Sequence, residues 1–373
     1  MLMTKSNPFK SLQKNTVQEL EKPIPQFPIL IFGAGQFGRD LCKVFQKNGY
    51  TVIGFVETNP LNSEILGLPV FDWEKSKKYQ GHSVLSLGIF NRDMAMDQLI
   101  TIAVEAGWKH ILMPWQIYDA LGGDLGWRFW LGPRKKLVSE LDRIAIVSEH
   151  LSDNYSKSIL YRTCAYRLGY DMEYSSFRSI EPQYFNHLTL SSLSNHDITY
   201  VDCGAFNGDT YKELISVVKC SEAYLFEPDP SNYHKLCENV CLLTGHVLCF
   251  PLAISNTYAI ITLNGNEGES SAISLDGNIH IASATLDEML GNIDIDFIKI
   301  DIEGSEESAL LGATKLIERS RPIMAISLYH RQEDLWVIPE LLYKLCPDYN
   351  FYLRQHFNNS FDLVFYAVPK RTK

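Results

Sequence analysis

Apolar residues in the first third of the chain occur in short runs separated by amphipathic stretches. The run Ile29–Phe32 is followed by glycines and then by apolar positions 41, 44 and 45, the spacing of one helix face. Wholly apolar short runs are typical of buried parallel strands, and their alternation with helices predicts a doubly wound parallel sheet over residues 28–115. The predicted strands are 29–32, 51–57, 69–71, 82–90 and 110–113, and the predicted helices are 39–48 and 93–107.

A second alternation of strands and helices begins at residue 198. Asp229 followed by Pro230 predicts a helix start, and residues 285–288 (TLDE) form a capping box. The apolar stretches 350–356 and 361–368, joined by Asn-Asn-Ser, predict a terminal antiparallel hairpin. The predicted parallel strands are 198–202, 223–227, 247–253, 296–301 and 323–328, and further helices are predicted at 210–218, 229–243 and from the cap at Ser305.

Two segments fall outside these patterns. Residues 1–27 are polar and proline-rich, which predicts a flexible tail. Residues 116–196 are rich in aromatic residues and include a helical stretch at 137–154, so we expect a helical bridge between the two sheets. The fold class is therefore α/β, with two doubly wound domains, at 28–115 and 197–373, joined by a helical bridge at 116–196.

Composition and charge narrow the function classes. The 373 residues are 46% hydrophobic and 21% charged, with 34 Lys and Arg against 44 Asp and Glu and a net charge of -10. The chain has no basic block, so nucleic acid is not an expected partner. No apolar run reaches the roughly 20 residues of a membrane span, and no secretory signal is visible. Eight cysteines without C-x-x-C spacing favour the cytoplasm, and no zinc site is predicted.

Chemistry-bearing residues follow four strands of the second predicted sheet. Because ligands of open α/β sheets bind beyond the carboxyl ends of the strands, these residues predict a nucleoside-type site. Glycines let the backbone approach a ligand, and an acid after the second strand can accept two ribose hydroxyls. The residues are Asp202, Gly204, Ala205, Asn207, Gly208, Asp209 and Thr210 after the first strand, Glu227 after the second, Asp301 and Glu303 after the fourth, and His330 near the end of the fifth.

These motifs resemble the FkbM family of methyltransferases over roughly residues 150–370. The matching segments are 201–210 (VDCGAFNGDT), 226–228 (FEP), 285–288 (TLDE), 298–306 (IKIDIEGSE), 327–330 (SLYH) and 352–356 (YLRQH). The resemblance implies the seven-stranded class I methyltransferase fold and S-adenosylmethionine as cofactor. It further implies methyl transfer to a hydroxyl, often on a sugar or glycoconjugate.

The resemblance and the predicted fold together assign roles to these residues. The loop from Asp202 to Thr210 would shape the methionine pocket, Glu227 would hold the ribose, and Ala253 with its two following residues would lie along the adenine. Asp301, Glu303 and His330 would face the transferred methyl group. Methyl transfer to an alcohol needs one base, for which His330 is the first candidate and Asp301 the second, because histidine titrates near neutrality.

Two further features bear on the site. Asp301 and Glu303 could supply part of a Mg²⁺ site, but the fifth strand ends in Tyr-His-Arg, and no metal is predicted. Residues 264–271 are predicted either as a lid over the substrate or as an ordinary surface loop.

The first predicted sheet has a glycine motif of its own. Gly33, Gly35 and Gly38 lie between a strand and the helix predicted at 39–48, and Glu57 comes 19 residues after the last glycine. This spacing fits a dinucleotide fingerprint with the acid on a ribose. Together with Gln36 and Phe37, these residues are the candidates for a nucleotide site. The domain also resembles the nucleotide-sugar-binding modules of bacterial sugar-modifying enzymes.

Three functions remain open from sequence alone. The first is the methyltransferase described above. The second is a nicotinamide-dependent oxidoreductase using the N-terminal domain, against which that domain is short and has no catalytic Tyr-x-x-x-Lys. The third is a nucleotide-sugar-binding or scaffold protein whose methyltransferase domain is inert. For the N-terminal domain, a fold that keeps its glycines for packing alone is a separate alternative. Oligomeric state is open as well, a homo-oligomer included.

Overall fold

The chain folds into two compact units. The computed structural model describes residues 7–20, 23–173, 176, 178–193, 197–243, 245–263 and 279–370. Unit 1 contains the described residues of Met1–Ala145, Ser158–Arg178 and Phe357–Phe361. Unit 2 contains those of Ile146–Lys157, Ser179–His356 and Asp362–Lys373. The segment 116–196, which the sequence predicted as a helical bridge, is divided between the two units.

Unit 1 is built on a six-stranded sheet. Its strand order is β3-β4-β2-β1-β5-β6, and every neighbouring pair is parallel except β3 with β4. The strands are β1 (Ile29–Phe32), β2 (Val52–Val56), β3 (Glu64–Ile65), β4 (Leu68–Phe71), β5 (Val84–Leu87) and β6 (Ile111–Leu112). All four residues of β1 are buried, as the apolar run predicted.

Seven helices of the described ranges lie between residues 9 and 167, and some of them cover this sheet. The helices from residues 9 to 167 are α1 (Phe9–Leu20), α2 (Gln36–Lys47), α3 (Trp73–Ser76), α4 (Met96–Glu105), α5 (Pro114–Leu125), α6 (Arg134–His150) and α7 (Asn154–Arg167), with a 3-10 turn at Lys77–Tyr79. Leu41 and Phe45 of α2 are fully buried in one cluster with Ile29 and Ile31 of β1. The amphipathic stripe after the glycines therefore covers the sheet.

The N-terminal segment departs from its prediction as a flexible tail. Residues 9 to 20 form helix α1, and Phe9 and Leu12 are buried. The Phe9 ring meets the Tyr161 ring edge-on at 5.7 Å. Two apolar residues three positions apart lie on the same face of a helix and are enough to bury it. The prediction of a flexible tail rested on the overall polar composition and did not consider this spacing.

Unit 2 contains the seven-stranded sheet that the sequence predicted. Its order is β15-β16-β14-β13-β7-β8-β9, in which β16 is antiparallel to both of its neighbours and the other pairs are parallel. The strands are β7 (Ile198–Cys203), β8 (Cys220–Phe226), β9 (His246–Phe250), β13 (Phe297–Ile300), β14 (Ile323–Ser327), β15 (Tyr349–Gln355) and β16 (Leu363–Pro369). The prediction of five parallel strands with a terminal hairpin is confirmed.

The helices of unit 2 begin where the caps predicted. Asp229 accepts from the N–H groups of Ser231 and Asn232, and Thr285 accepts from the N–H of Glu288. The helices are α8 (His187–Leu190), α9 (Asp209–Val217), α10 (Pro230–Val240), α11 (Leu286–Leu290), α12 (Glu306–Leu311), α13 (Thr314–Ser320) and α14 (Asp334–Leu345).

A small three-stranded sheet in unit 2 was not predicted. It contains β10 (Ala253–Ile254), β11 (Ala259–Leu263) and β12 (Ile279–Ala284), in the order β10-β12-β11. The strand expected at 247–253 therefore ends at Phe250. Pro251 follows Phe250 and has no N–H to continue the ladder.

None of the helices in the described ranges is long and apolar enough to cross a membrane.

Candidate active site

Three loops of unit 2 meet at the carboxyl end of its sheet. Strand β13 lies between β7 and β14, with Ile300 in register with Cys203 on one side and with Ile326 on the other. Asp301, which follows β13, donates its N–H to the carbonyl oxygen of Cys203 at 3.0 Å. The loop after β7, the turn after β13 and the segment after β14 are thereby brought together, as the strand-end analysis predicted.

The glycine loop after β7 requires glycine at two positions. Gly204 has a φ of +86°, and a Cβ there would lie 1.9 Å from the carbonyl oxygen of Asp301. Gly208 also has a φ of +86° and is the N-cap of α9. A Cβ at Gly204 is excluded by backbone, so this loop packs directly on the turn after β13. Ala205, Asn207, Asp209 and Thr210 complete the loop and the start of α9.

A buried lysine, which sequence analysis missed, supports this loop. Lys299 on β13 is 3% exposed, and its Nζ lies 3.0 Å from Asp202 Oδ1 and donates to the carbonyl oxygen of Gly204 at 2.5 Å. Burial alone would lower the pKa of Lys299, but Asp202 and Asp301 raise it, so the ammonium stays charged. Asp202 is fully buried, and Tyr200 donates to it as well, so Asp202 acts within the scaffold of the loop.

Glu227 is held in one orientation at the end of β8. Its Oε2 accepts from the N–H of Phe206 at 2.8 Å, and its Oε1 accepts from the N–H of Asp229 at 2.9 Å. The residue is 6% exposed, and burial raises its pKa to about 7 against the effect of the two N–H donors. Each oxygen retains a further acceptor position, which suits a pair of ribose hydroxyls.

His330 lies among three carboxylates. Its Nδ1 is 2.7 Å from Glu306 Oε1, and its Nε2 is 3.3 Å from Asp301 Oδ1 and 3.6 Å from Glu303 Oε2. The side chains of His330 and Glu306 are fully buried, whereas those of Asp301 and Glu303 retain 19% and 18% exposure. The two partly exposed carboxylates therefore form the accessible face of this cluster.

The carboxylates determine the protonation of the histidine. Burial alone would lower the pKa of His330, but Glu306 and Glu303 raise it to about 10. Burial raises the pKa of Glu303 to about 8, although His330 opposes that shift. Burial would also raise the pKa of Asp301, yet His330 and Lys299 hold it below its usual range. At neutral pH the cluster thus contains an imidazolium, an ionised Asp301 and a Glu303 near its titration point.

This geometry does not fit His330 as the general base. A base must be unprotonated and must reach the acceptor, but His330 is protonated at neutral pH and fully buried. Glu306 lies in the first turn of α12. It is buried, and it accepts from the N–H of Ile302 at 2.9 Å and pairs with His330.

The same cluster contains possible metal ligands. Asp301, Glu306 and His330 each offer one ligand atom within 4.8 Å of the others. The imidazole, however, lies between the carboxylates, with one ring nitrogen facing Glu306 and the other facing Asp301. A single ion cannot bind both ring nitrogens, and the imidazolium itself is the cation of this cluster. An ion bound here would therefore have to replace the pairing of His330 with one of these carboxylates.

Two tyrosines that sequence analysis did not assign to the site contact Asp301. The Tyr184 hydroxyl donates to Oδ2 at 2.8 Å, and the Tyr329 hydroxyl donates to Oδ1 at 3.3 Å. Tyr329 adjoins His330 in sequence, so its position at the same strand end could have indicated that it belongs to the site. Tyr184 belongs to the aromatic segment before β7, and nothing in its spacing connects it to a residue 117 positions away.

Other predicted residues lie elsewhere. Ala253 belongs to β10 in the small sheet and does not follow the end of β9, because β9 ends at Phe250. The segment 264–271, predicted as a lid or surface loop, lies outside the described residues. In unit 1, the first glycine of the N-terminal motif follows β1, the second caps α2, Gln36 and Phe37 begin that helix, and Glu57 follows β2.

Comparison with known proteins bears directly on this site. Residues 202–358, which include the glycine loop, Glu227, Lys299 and the His330 cluster, match the family model of the methyltransferase FkbM domain. These residues form an FkbM-family methyltransferase domain. A domain of this family implies a methyltransferase that depends on S-adenosylmethionine. No curated protein sequence gives a significant match to the chain.

Solved structures are similar to nearly the whole chain or to about half of it. The crystal structure of the methyltransferase FkbM from Methylobacillus flagellatus KT is 23% identical, with a TM-score of 0.79, and the match covers 98% of this chain and 99% of that one. An rRNA methylase from Streptococcus thermophilus is 16% identical, with a TM-score of 0.34 over 49% of this chain and 93% of its own. The first match shows that the fold extends over both units.

Proposed function

We propose that the chain transfers the methyl group of S-adenosylmethionine to a hydroxyl of a sugar or glycoconjugate. The observation that carries this proposal is the accessible pair Asp301 and Glu303, set between the glycine loop and His330. The pair combines a carboxylate that stays ionised with one whose pKa is about 8. Methyl transfer to oxygen requires a proton acceptor of this kind beside the cofactor.

The residues at the strand ends fit the cofactor. The loop around Gly204 and Gly208 brings backbone close to the methionine part, and Glu227 is oriented to accept the ribose hydroxyls. S-adenosylmethionine supplies a methyl group on a positively charged sulfur, and the thioether that leaves needs no proton. Asp301 keeps a negative charge on the side where that positive sulfur would lie.

Glu303 is the base in this proposal. The acceptor hydroxyl gives its proton to the Glu303 carboxylate as the new C–O bond forms and the C–S bond breaks. Because the pKa of Glu303 is about 8, its carboxylate is a stronger proton acceptor than an ordinary glutamate. Glu306 and His330 act as positioning residues, since they fix the turn that holds Glu303 and keep a positive charge beneath it.

The acceptor class rests on the FkbM resemblance and on the chemistry of the accessible groups. Asp301 and Glu303 present carboxylate oxygens, which accept hydrogen bonds from hydroxyls. A polyol such as a sugar offers several such donors at adjacent carbons. A hydroxyl-rich acceptor therefore fits this face better than an apolar one.

Cofactor binding and methyl transfer are tested separately on the full chain. Calorimetry with S-adenosylhomocysteine should show one site that Glu227→Ala weakens. The control Glu238→Ala removes an exposed acid on α10 and should bind like the wild type. Absence of binding to the wild type would overturn the cofactor assignment.

The transfer step is then tested with methyl-¹³C S-adenosylmethionine and a panel of sugars, nucleotide sugars and glycolipid precursors. The proposal expects the label on a sugar oxygen, as identified by NMR. Transfer of the label to nitrogen or carbon, or only to acceptors without a sugar, would contradict it.

A further inference from the structure

The three glycines of the N-terminal motif stand in different environments. Gly33 has a φ of +100°, and a Cβ there would meet Ile89 at 2.4 Å. A Cβ on Gly38 would lie 2.0 Å from the carbonyl oxygen of Gly33. The packing of unit 1 therefore requires glycine at both of these positions, whether or not a ligand binds.

The packing of the protein does not require glycine at position 35. The φ of Gly35 is -67°, which any residue adopts, and a Cβ there would meet nothing within 4 Å. It is the N-cap of α2, a position where Ser, Asn or Asp would accept a hydrogen bond from the first turn. Asp72 and Asp229 do this for α3 and α10. Glycine thus leaves the first turn of α2 without a side-chain cap and leaves open space beside it.

An acid borders the same place. Val56, the last residue of β2, pairs with Phe32 of β1 and accepts a hydrogen bond from the N–H of Gly33 at 2.9 Å. Glu57 follows Val56 directly and is half-buried. Glu57 is therefore adjacent to the glycine turn, at the carboxyl edge of the sheet where open α/β sheets bind ligands.

We infer that unit 1 binds a ribonucleoside diphosphate, with the diphosphate at the first turn of α2 beside Gly35 and the ribose diol on Glu57. Packing explains Gly33 and Gly38, and close approach of a phosphate explains Gly35. A nicotinamide dinucleotide and a nucleotide sugar share this chemistry. This inference is independent of the methyltransferase function of unit 2.

The experiment measures binding of NAD and of UDP-glucose to the full chain by calorimetry, with S-adenosylhomocysteine present in excess. One of the two should bind to the wild type. The one that binds shows whether the ligand is a nicotinamide dinucleotide or a nucleotide sugar. Gly35→Asp should lower that affinity at least tenfold, because the new carboxylate caps α2 and repels phosphate. The same variant should keep or raise the melting temperature, since Asp is a good N-cap.

Two further variants complete the test. Glu57→Gln should weaken the ribonucleotide more than the matching 2′-deoxyribonucleotide, so the preference for ribose should shrink. Gly123→Ala is the control, because Gly123 is an exposed glycine of α5 whose Cβ also meets nothing within 4 Å, and it should bind like the wild type. Binding of neither nucleotide, or equal binding by wild type and Gly35→Asp, would overturn the inference. The inference would also be overturned if Glu227→Ala abolished the calorimetric signal of nucleotide binding and Gly35→Asp left it intact.

Discussion

Glu303 carries the main prediction at the scale of single residues. Glu303→Gln keeps the shape of the side chain but cannot take a proton, so turnover should fall by about 10²–10⁴-fold. Affinity for S-adenosylhomocysteine should stay near wild type. The wild-type rate should rise with pH up to about 8, as Glu303 ionises, and the residual rate of the variant should lose that dependence. Initial rates across pH, with the labelled methyl donor, provide the measurement.

The matched control is Glu307→Gln. Glu307 is an exposed acid in the first turn of α12, four residues from Glu303. Its replacement should leave both the rate and the pH profile unchanged. If Glu303→Gln retained full turnover and His330→Gln alone lost it, the assignment of Glu303 as the base would be wrong.

Glu227 gives a second prediction at this scale. Its pKa of about 7 means that the carboxylate is half protonated near neutral pH. A protonated carboxyl has fewer acceptor positions for ribose hydroxyls, so affinity for S-adenosylhomocysteine should increase as pH rises through 7. Glu227→Gln should bind more weakly and should lose this dependence. Calorimetric titrations on both sides of pH 7 measure the effect, and a pH-independent wild type would contradict it.

Residue identities at the site were predictable, but their protonation was not. Strand-end analysis found Asp301, Glu303 and His330 because they follow predicted strands. Titration of His330 depends on Glu306, which lies 24 positions away in sequence and is fully buried beside it. Lys299 lies within an apolar strand, and its ion pair with Asp202 could not be predicted from the sequence pattern. These features arise from packing between segments that are distant in sequence.

At the scale of elements, the cap of α10 is open to a direct test. Asp229 accepts from two N–H groups of the first turn, so Asp229→Ala should lower the free energy of unfolding of unit 2 by about 1 kcal/mol. The N–H of Asp229 that donates to Glu227 is part of the backbone and survives the change. Denaturant unfolding followed by circular dichroism measures the loss, with Glu238→Ala on the same helix as control. An unchanged midpoint would show that the cap contributes nothing.

Elements with strong local signals were predictable from sequence. The strands β7 and β14 and the caps at Asp229 and Thr285 lie within a residue or two of their predicted positions. The small sheet was missed because β10 has only two residues and pairs with Ser283 and Ala284, about 30 positions later. A strand this short has no periodicity of its own, so only the tertiary pairing defines it.

At the scale of the whole molecule, the two sheets were predictable but the division of the chain was not. Hydrophobic periodicity located both α/β patterns. Assignment of residues 158–178 and 357–361 to unit 1 depends on contacts such as the Tyr166 hydroxyl donating to Asn359 at 2.9 Å, across 193 positions of sequence. Contacts between residues so far apart in sequence cannot be read from local composition. A bridge at 116–196 was therefore predicted.

The His330 cluster should also make the free energy of unfolding of the whole chain depend on pH. The folded-state pKa of His330, about 10, lies above its ordinary 6.5. Protonation therefore favours the folded state fully below pH 6.5, and this contribution is lost as pH rises toward 10. Glu303, raised from 4.5 to about 8, acts in the same direction. The free energy of unfolding should accordingly fall between pH 6.5 and pH 9.0, the ordinary pKa of a cysteine thiol.

Denaturant unfolding at several pH values in this window tests the sign. Glu303→Gln should reduce the slope, because one of the two titrating groups is gone. His187→Gln is the control, since His187 is exposed and pairs with Glu181 at the surface, and it should retain the wild-type slope. Stability that stays constant or rises toward pH 9 would show that His330 is not held as an imidazolium by its three carboxylate neighbours. The assignment of the base to Glu303 would then lose its electrostatic foundation.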